Sequence, residues 1–335
     1  MNFRFKIIIQ FTIFLMVIIA GNSQQLPLYS QYMMNKFLLN PAIAGSDGYT
    51  SVNFTAREQW VGFMNAPRTH AISGQTRILK TSYISKSTSV RKKITRPSRS
   101  GRVGIGGYIF NDRNGIISRT GFQLTYAYHI DLSETARGPH RLSFGISANA
   151  FQFQINDDGI NTENIEYDEF WENYDKVMFI PDANFGVYYS TRDYYAGFSA
   201  HNLFKSVLQL GIQGESNYKM LRHYYIMGGY TFELPNPDFA IQPSALFKSS
   251  DDLHSFQVEV SAKVFYQDNY WGGISFRSSD ALIIMAGLKV DQYYFGYAFD
   301  YALSNIRKHS LGSHEFMVAV KFGDNARRYR WLDRY

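Results

Sequence analysis

The chain contains 0 cysteines. That excludes disulfides, a thiolate metal site, a thiol nucleophile and a lipid-modified N-terminal cysteine. Beyond its N-terminal stretch, no segment is apolar enough to cross a membrane as a helix. Mean hydropathy is only −0.26. Charge is also scarce, at 19% of residues, and the formal net charge is a mild +6. No domain-wide stripe of lysine and arginine interleaves with aromatics, so nucleic acid is not an expected partner. No repeat with a period of about 20–50 residues is present, which excludes propellers and solenoids. No Pro/Ser-rich linker divides the chain, and one domain is expected after the N-terminal stretch.

What the chain has in excess is aromatic side chains, at 17%, with 25 Tyr, 27 Phe and 26 Gly. It opens MNFRFKIIIQFTIFLMVIIAGNS, with Arg4 and Lys6 ahead of an apolar run from Ile7 to Ala20 and small residues after it. That is the layout of a secretory signal peptide over residues 1–23, cleaved after Ser23. The run is short of the ~20 apolar residues a spanning helix needs.

The dominant pattern downstream is alternation. In SFQVEVSAKVFY (255–266), Phe256, Val258, Val260, Ala262 and Val264 share one face, and Gln257, Glu259, Ser261 and Lys263 the other. Successive strand residues point to opposite sides of a sheet. A soluble sandwich would hide the oily face, whereas a membrane barrel turns it to lipid. An exported chain rich in Tyr, Phe and Gly with no helical span favours the barrel over a large secreted β protein.

About fourteen such strands are expected, near 48–58, 69–80, 102–111, 117–131, 139–154, 182–191, 193–202, 222–233, 238–248, 254–267, 269–278, 281–290, 292–301 and 312–322. The expected fold is an all-β, antiparallel outer-membrane barrel spanning 48–323. An irregular segment over 24–47 precedes it and a basic periplasmic tail over 324–335 follows. Short links at 190–193, 234–238, 267–269 and 291–292 fall on one end of the barrel. Long ones at 155–181, 203–221 and 302–311 fall on the other, the asymmetry of outer-membrane barrels. The long link at 81–101 breaks that rule. Pro243 lies inside a strand pattern and demands a bulge or a locally unpaired position.

QLPLYSQYMMNKFLLNPAIAGSDG (25–48) carries Pro27, Gln31-Tyr32-Met33, Asn40-Pro41-Ala42 and Ala44-Gly45. Together with REQWVGFMNAPRTH, GIGGYIFNDRNG, YYAGFSAHNLF, RHYYIMGGYTF, WGGISFR, YYFGYAFDYALS and GSHEFMV, in that order, it resembles the PorP/SprF family of the bacteroidete type IX secretion system. Ile43 stands where that family usually has Tyr. The resemblance implies a monomeric outer-membrane barrel serving export and surface retention of proteins with a C-terminal sorting domain, gliding adhesins among them. It also implies contact with the periplasmic ring or motor. The competing reading of the same architecture is a porin or small-molecule transporter.

Candidate sites follow. Gln31, Tyr32, Asn40, Pro41 and Gly45 belong to a plug or lid at the periplasmic mouth, to a partner surface, or to both. Phe170, Trp171 and Tyr174 sit in an acidic loop. Its oxygens could take Ca²⁺, but the spacing matches no EF-hand, and the aromatics favour protein docking over metal. Gln257, Glu259, Lys263 and Glu315 are expected to face the lumen, and Trp60 the outer interfacial belt. Residues 80–102 are cationic without an acid. They read either as a solvated loop or as a contact for lipid phosphates or an acidic partner. SHEF lacks the second histidine of a zinc motif, and GISAN and GFSAH lack the last glycine of a nucleophile elbow. No enzyme activity, cofactor or metal is expected. Outer-membrane lipid is the expected surrounding.

Overall fold

The computed structural model describes residues 29–78, 101–135, 138–155, 177–204, 207–210, 216–251 and 256–322. The expected signal peptide, the acidic-loop trio Phe170, Trp171 and Tyr174, most of the basic linker and the C-terminal tail lie outside these residues.

The strands form a closed antiparallel barrel of 14 strands. In chain order they are β1 (Thr50–Glu58), β2 (Arg68–Ile78), β3 (Val103–Asn114), β4 (Ile117–Thr135), β5 (Gly138–Ile155), β6 (Val177–Ser190) and β7 (Tyr194–His201). Then come β8 (His223–Tyr230), β9 (Phe239–Ser250), β10 (Phe256–Tyr266), β11 (Tyr270–Arg277), β12 (Ala281–Val290), β13 (Tyr293–Ala302) and β14 (Ser313–Phe322). Each pairs with its sequence neighbours. β1 closes on β14, from Thr50 opposite Phe322 to Glu58 opposite His314. Closure leaves no edge strand, the one way a sheet can satisfy its backbone inside lipid.

The alternation in β10 is resolved by exposure. Val260 is 54% exposed and Glu259 3%. Val264 points outward and Lys263 is fully buried. The oily face therefore meets the surroundings and the polar face meets the lumen, the inverse of a soluble sandwich. β14 repeats the arrangement, with Phe316 and Val318 outside and Glu315 inside.

Aromatic rings girdle the end that carries the short turns. Tyr194 stacks on Tyr230 at 6.3 Å, Tyr230 meets Phe232 at 4.4 Å, and Tyr266 meets Phe239 at 4.9 Å and Tyr270 at 6.4 Å. Such amphipathic rings suit the headgroup layer. Short turns mark this end as periplasmic. Trp60 is half-buried in the turn at the opposite end, its backbone N–H donating to Ser313 Oγ at 3.1 Å.

The expected start of β6 moves. β6 begins at Val177 rather than near 182 because Pro181 sits inside the strand, opposite Ala150. β7 pairs with β6 only from Phe185 onward, and past that point the Leu203 N–H donates to the Ala183 carbonyl and the Phe204 N–H to Asp182 Oδ1, each at 3.0 Å. The link over 203–221 contains a small hairpin, Val207–Leu210 with Ser216–Lys219. At Pro243 the ladder between β8 and β9 lapses after Gly229–Ser244 and resumes at Phe232–Ile241. The Gln242 amide donates to Thr231 Oγ1 at 3.0 Å across the gap.

Candidate functional site

Residues 29–48 run through the inside of the barrel. Two 3₁₀ turns, Lys36–Leu38 and Pro41–Ile43, compact the segment. Asn40 caps the second, its side-chain oxygen accepting the Ala42 N–H at 2.9 Å, and Pro41 supplies the fixed φ that suits a first helical position. Tyr32, Met33, Phe37, Ala42 and Ala44 form the buried hydrophobic centre together with wall residues such as Tyr195, Met227 and Trp271.

The segment crosses the lumen from the outer half to the periplasmic mouth. Ser30 meets residues near the outer ends of β1, β11 and β13, while Asp47 meets Lys321 beside the inner end of β14. It is fastened at three levels.

The outer level is ionic. Glu315 accepts the backbone N–H of Ser30 at 2.6 Å and of Gln31 at 2.9 Å, one on each carboxylate oxygen. Ser30 Oγ donates to Asp300 at 2.7 Å and accepts from Arg57. Arg57 bridges Asp300 at 2.8 Å and Glu315 at 3.3 Å. Arg277 joins Glu259 at 2.7 Å, Asp280 at 3.1 Å and Asp300 at 3.4 Å. Two guanidiniums thus face four carboxylates. Buried charges persist only where such pairing compensates their desolvation.

The middle level uses neutral donors. Asn35 donates to Ser73 Oγ at 2.9 Å. Asn40 Nδ2 donates to the carbonyls of Val187 and Phe198 at 3.0 and 3.1 Å. The Leu39 carbonyl accepts from Ser199 Oγ at 2.6 Å and from the His201 ring at 2.8 Å. Lys36 lies 3.7 Å over the Tyr195 ring. Burial holds its ammonium well below the usual lysine range, and the charges of Lys263 and Lys321 push the same way.

At the inner level the Ser46 carbonyl accepts from Arg77 at 2.8 Å and Arg141 at 2.7 Å, and Ala44 O meets the His129 ring at 2.9 Å. Gly45 takes a left-handed φ of +67° and sits against the Thr76 carbonyl, where a Cβ would come within 2.6 Å. The wall is cut to the segment as well. Cβ atoms at Gly104, Gly145 and Gly186 would strike Ala44, the Pro41–Ala42 backbone and Asn40.

Gln31, Tyr32, Asn40, Pro41 and Gly45 are therefore all inside the lumen, deeper than a lid at the mouth, and buried in this arrangement. Gln257, Glu259, Lys263 and Glu315 lie on the inward face of their strands. Glu259 and Glu315 join the ionic level, while Gln257 lines a small outer cavity beside Tyr29 and Lys248. Sequence reasoning missed Ser30, Arg57, Arg277 and Asp300. The signal for the three charged ones was a charge on the inward period of a strand, as in SVNFTAR, where Ser51, Asn53, Thr55 and Arg57 alternate inward.

Cavities left around the segment are small. One of about 60 Å³ in the outer half is lined by Tyr29, Tyr108, Phe151, His201 and Tyr225 among others. Another, of about 20 Å³, opens near Lys289, Tyr294 and Lys321 at the inner end. Among the described residues no group of His, Asp and Glu could hold a metal ion, and no helix is long and apolar enough to span a membrane.

Solved structures with similar shape are outer-membrane barrels. The KdgM porin is 8% identical with a TM-score of 0.36, covering 82% of this chain and 98% of that one. Omp33 of Acinetobacter baumannii is 8% identical with a TM-score of 0.41, covering 82% and 99%. CdiB of the same organism is 10% identical with a TM-score of 0.39, covering 82% of this chain and 60% of that one. These scores leave the barrel assignment to rest on the closed ladder itself. No curated protein matches the sequence. A family model does, over residues 21–320: "Type IX secretion system membrane protein PorP/SprF". The closed, oily-faced barrel and that match over most of its length make this chain an outer-membrane protein belonging to the PorP/SprF family of type IX secretion components.

Proposed function

We propose that this barrel receives or anchors secreted surface proteins, gliding adhesins among them, through their C-terminal sorting domain. The observation that carries the reading beyond family membership is the filled lumen. A barrel whose interior is occupied by its own residues 29–48, fastened at three levels, suits a docking scaffold better than a permanently open porin. Catalysis has no part in this reading, and contact with the periplasmic ring or motor of the secretion system completes it.

The test is an in-frame deletion with surface proteomics. Loss of a subset of surface adhesins, restored by the intact gene, with other type IX cargo still exported, is the expected result. Unchanged display of every adhesin would overturn the proposal.

A further inference from the structure

Charge is unevenly spread over the outward face of the barrel. At the outer ends of β10–β13 that face is apolar and carries Phe256, Phe276, Leu282 and Tyr301. At the outer ends of β1–β4 it carries Glu58, Arg68, His70, Asn111, Arg113 and Thr120, all exposed. The residues that alternate with them, Arg57, Thr69 and Asp112, are buried.

This polar patch stands just above the oily band. On β4 the outward residues are Phe122, Leu124, Tyr126, Tyr128 and Ile130, all exposed. That run covers about 26 Å of strand at ~3.3 Å per residue. Tilted, it accounts for most of an apolar band about 25 Å tall. Thr120 is the next outward residue, which places it and its lateral neighbours in the headgroup layer. Asn111 lies opposite Thr120, and His70 opposite Asn111. One rung further out, Arg113 lies opposite Arg68, and Arg68 opposite Glu58.

Like charges at directly opposed positions destabilise a sheet. Glu58 offsets only one of the two arginines, meeting Arg68 at 3.5 Å. Arg113 pairs with no carboxylate among the described residues. An anion seated between the two guanidiniums removes the repulsion. Phosphate suits the planar fork of arginine, which binds it through two parallel N–H donors. The rung beneath adds neutral donors. Asn111 Nδ2 donates to Thr120 Oγ1 at 2.7 Å, which leaves the threonine hydroxyl able to donate in turn. The His70 ring is exposed beside them. Below these, Ile72, Ile109 and Phe122 present hydrocarbon. Phosphate, ester oxygens and acyl chain follow one another down a lipid in the order that these rungs would receive them.

We infer that Arg68 and Arg113 form a site for the phosphate of an outer-leaflet lipid, with Thr120 and His70 donating to its ester oxygens and Ile72, Ile109 and Phe122 packing against its chains. The lipid is held on the outside of the barrel, apart from the filled lumen, and the site is independent of cargo display.

Native mass spectrometry of the full-length protein in detergent tests this. The probes are phosphatidic acid and the diacylglycerol with the same chains, which differ only in the phosphate. Wild-type protein is expected to retain phosphatidic acid at about 10-fold lower concentration, the margin that one charge-assisted contact supplies. Arg68→Gln and Arg113→Gln should each bring phosphatidic acid close to the neutral lipid. Arg307→Gln, which removes a charge from the turn between β13 and β14, should leave the preference unchanged. All three side chains are exposed, so each variant is expected to assemble. Inorganic phosphate and polyglutamate at the lipid's concentration should not displace it. Equal retention of the two lipids by wild-type protein, an unchanged preference in Arg113→Gln, an equal loss in Arg307→Gln, or displacement by free phosphate or by the acidic peptide overturns the proposal.

Discussion

Glu315 and Ser30 are 285 positions apart in the chain and joined by a 2.6 Å hydrogen bond from the Ser30 backbone N–H to a carboxylate oxygen. The other oxygen takes the next N–H, and Arg57 lies 3.3 Å away. Replacing Glu315 by Ala removes all three interactions and leaves Arg57 with one carboxylate fewer. The expected cost is about 3–5 kcal/mol, that of breaking a buried pair from one side. Urea midpoints of detergent-solubilised barrel measure it. A change within about 0.5 kcal/mol, the range of ordinary surface substitutions, would contradict a stabilising role for these contacts.

Gly145→Ala is expected to destabilise the barrel by about 1–3 kcal/mol through overpacking. The new methyl strikes the Pro41–Ala42 backbone, which is rigid and capped by Asn40. Gly228→Ala is the control, since its Cβ would meet only the Tyr195 carbonyl at 3.5 Å, an ordinary contact. Thermal unfolding followed by gel mobility should separate the two. Equal melting would mean the plug yields.

Lys263 is fully buried on the inward face, and among the described residues its Nζ lies 3.7 Å from the Met34 sulfur and 5.1 Å from the centre of the Phe265 ring. Neither is a counter-charge. Lys263→Met should therefore stabilise the barrel, by about 1–3 kcal/mol, the scale of a poorly compensated buried polar group. Asp300→Asn should do the reverse, because Arg57 and Arg277 both lose a counter-charge. Paired unfolding curves decide, and a loss of stability in Lys263→Met would show that the ammonium is compensated after all.

On the outside, Ile284 lies midway along β12 and is 56% exposed. Ile284→Arg should cost about 2–4 kcal/mol in a bilayer, as expected for a cation near the midplane. Folding in lipid vesicles, followed by titration with denaturant, measures it. The penalty should shrink in detergent micelles, where the arginine reaches water.

Most of the barrel was legible because each strand carries its own signal. FQVEVSAKV states its two faces in nine residues, and the same logic placed Phe316 outside and Glu315 inside. The early start of β6 was not legible, and Pro181 lies inside that strand, opposite Ala150. The plug's path was not legible. Asn40-Pro41 announces a turn, but nothing near it in the chain says that Asn40 will meet Val187 and Phe198, or that Gly145 and Gly186 are bare to admit it. The ionic level was hidden for the same reason. Arg57, Arg277, Asp300 and Glu315 are single charges on four separate strands and become a cluster only when the cylinder closes.

That closure constrains biogenesis. The first residues of the described chain rest on a carboxylate that sits in the final strand, so that hold forms only once the last strand is in place. The cylinder also cannot seal first and be filled afterwards from the outer side, because the tail is tied to the inner rim. The hold of Glu315 on Ser30 and Gln31 and the pairing of β1 with β14 both wait for that last strand. A truncation that removes only the last strand would then leave both ends of the protein unfinished at once.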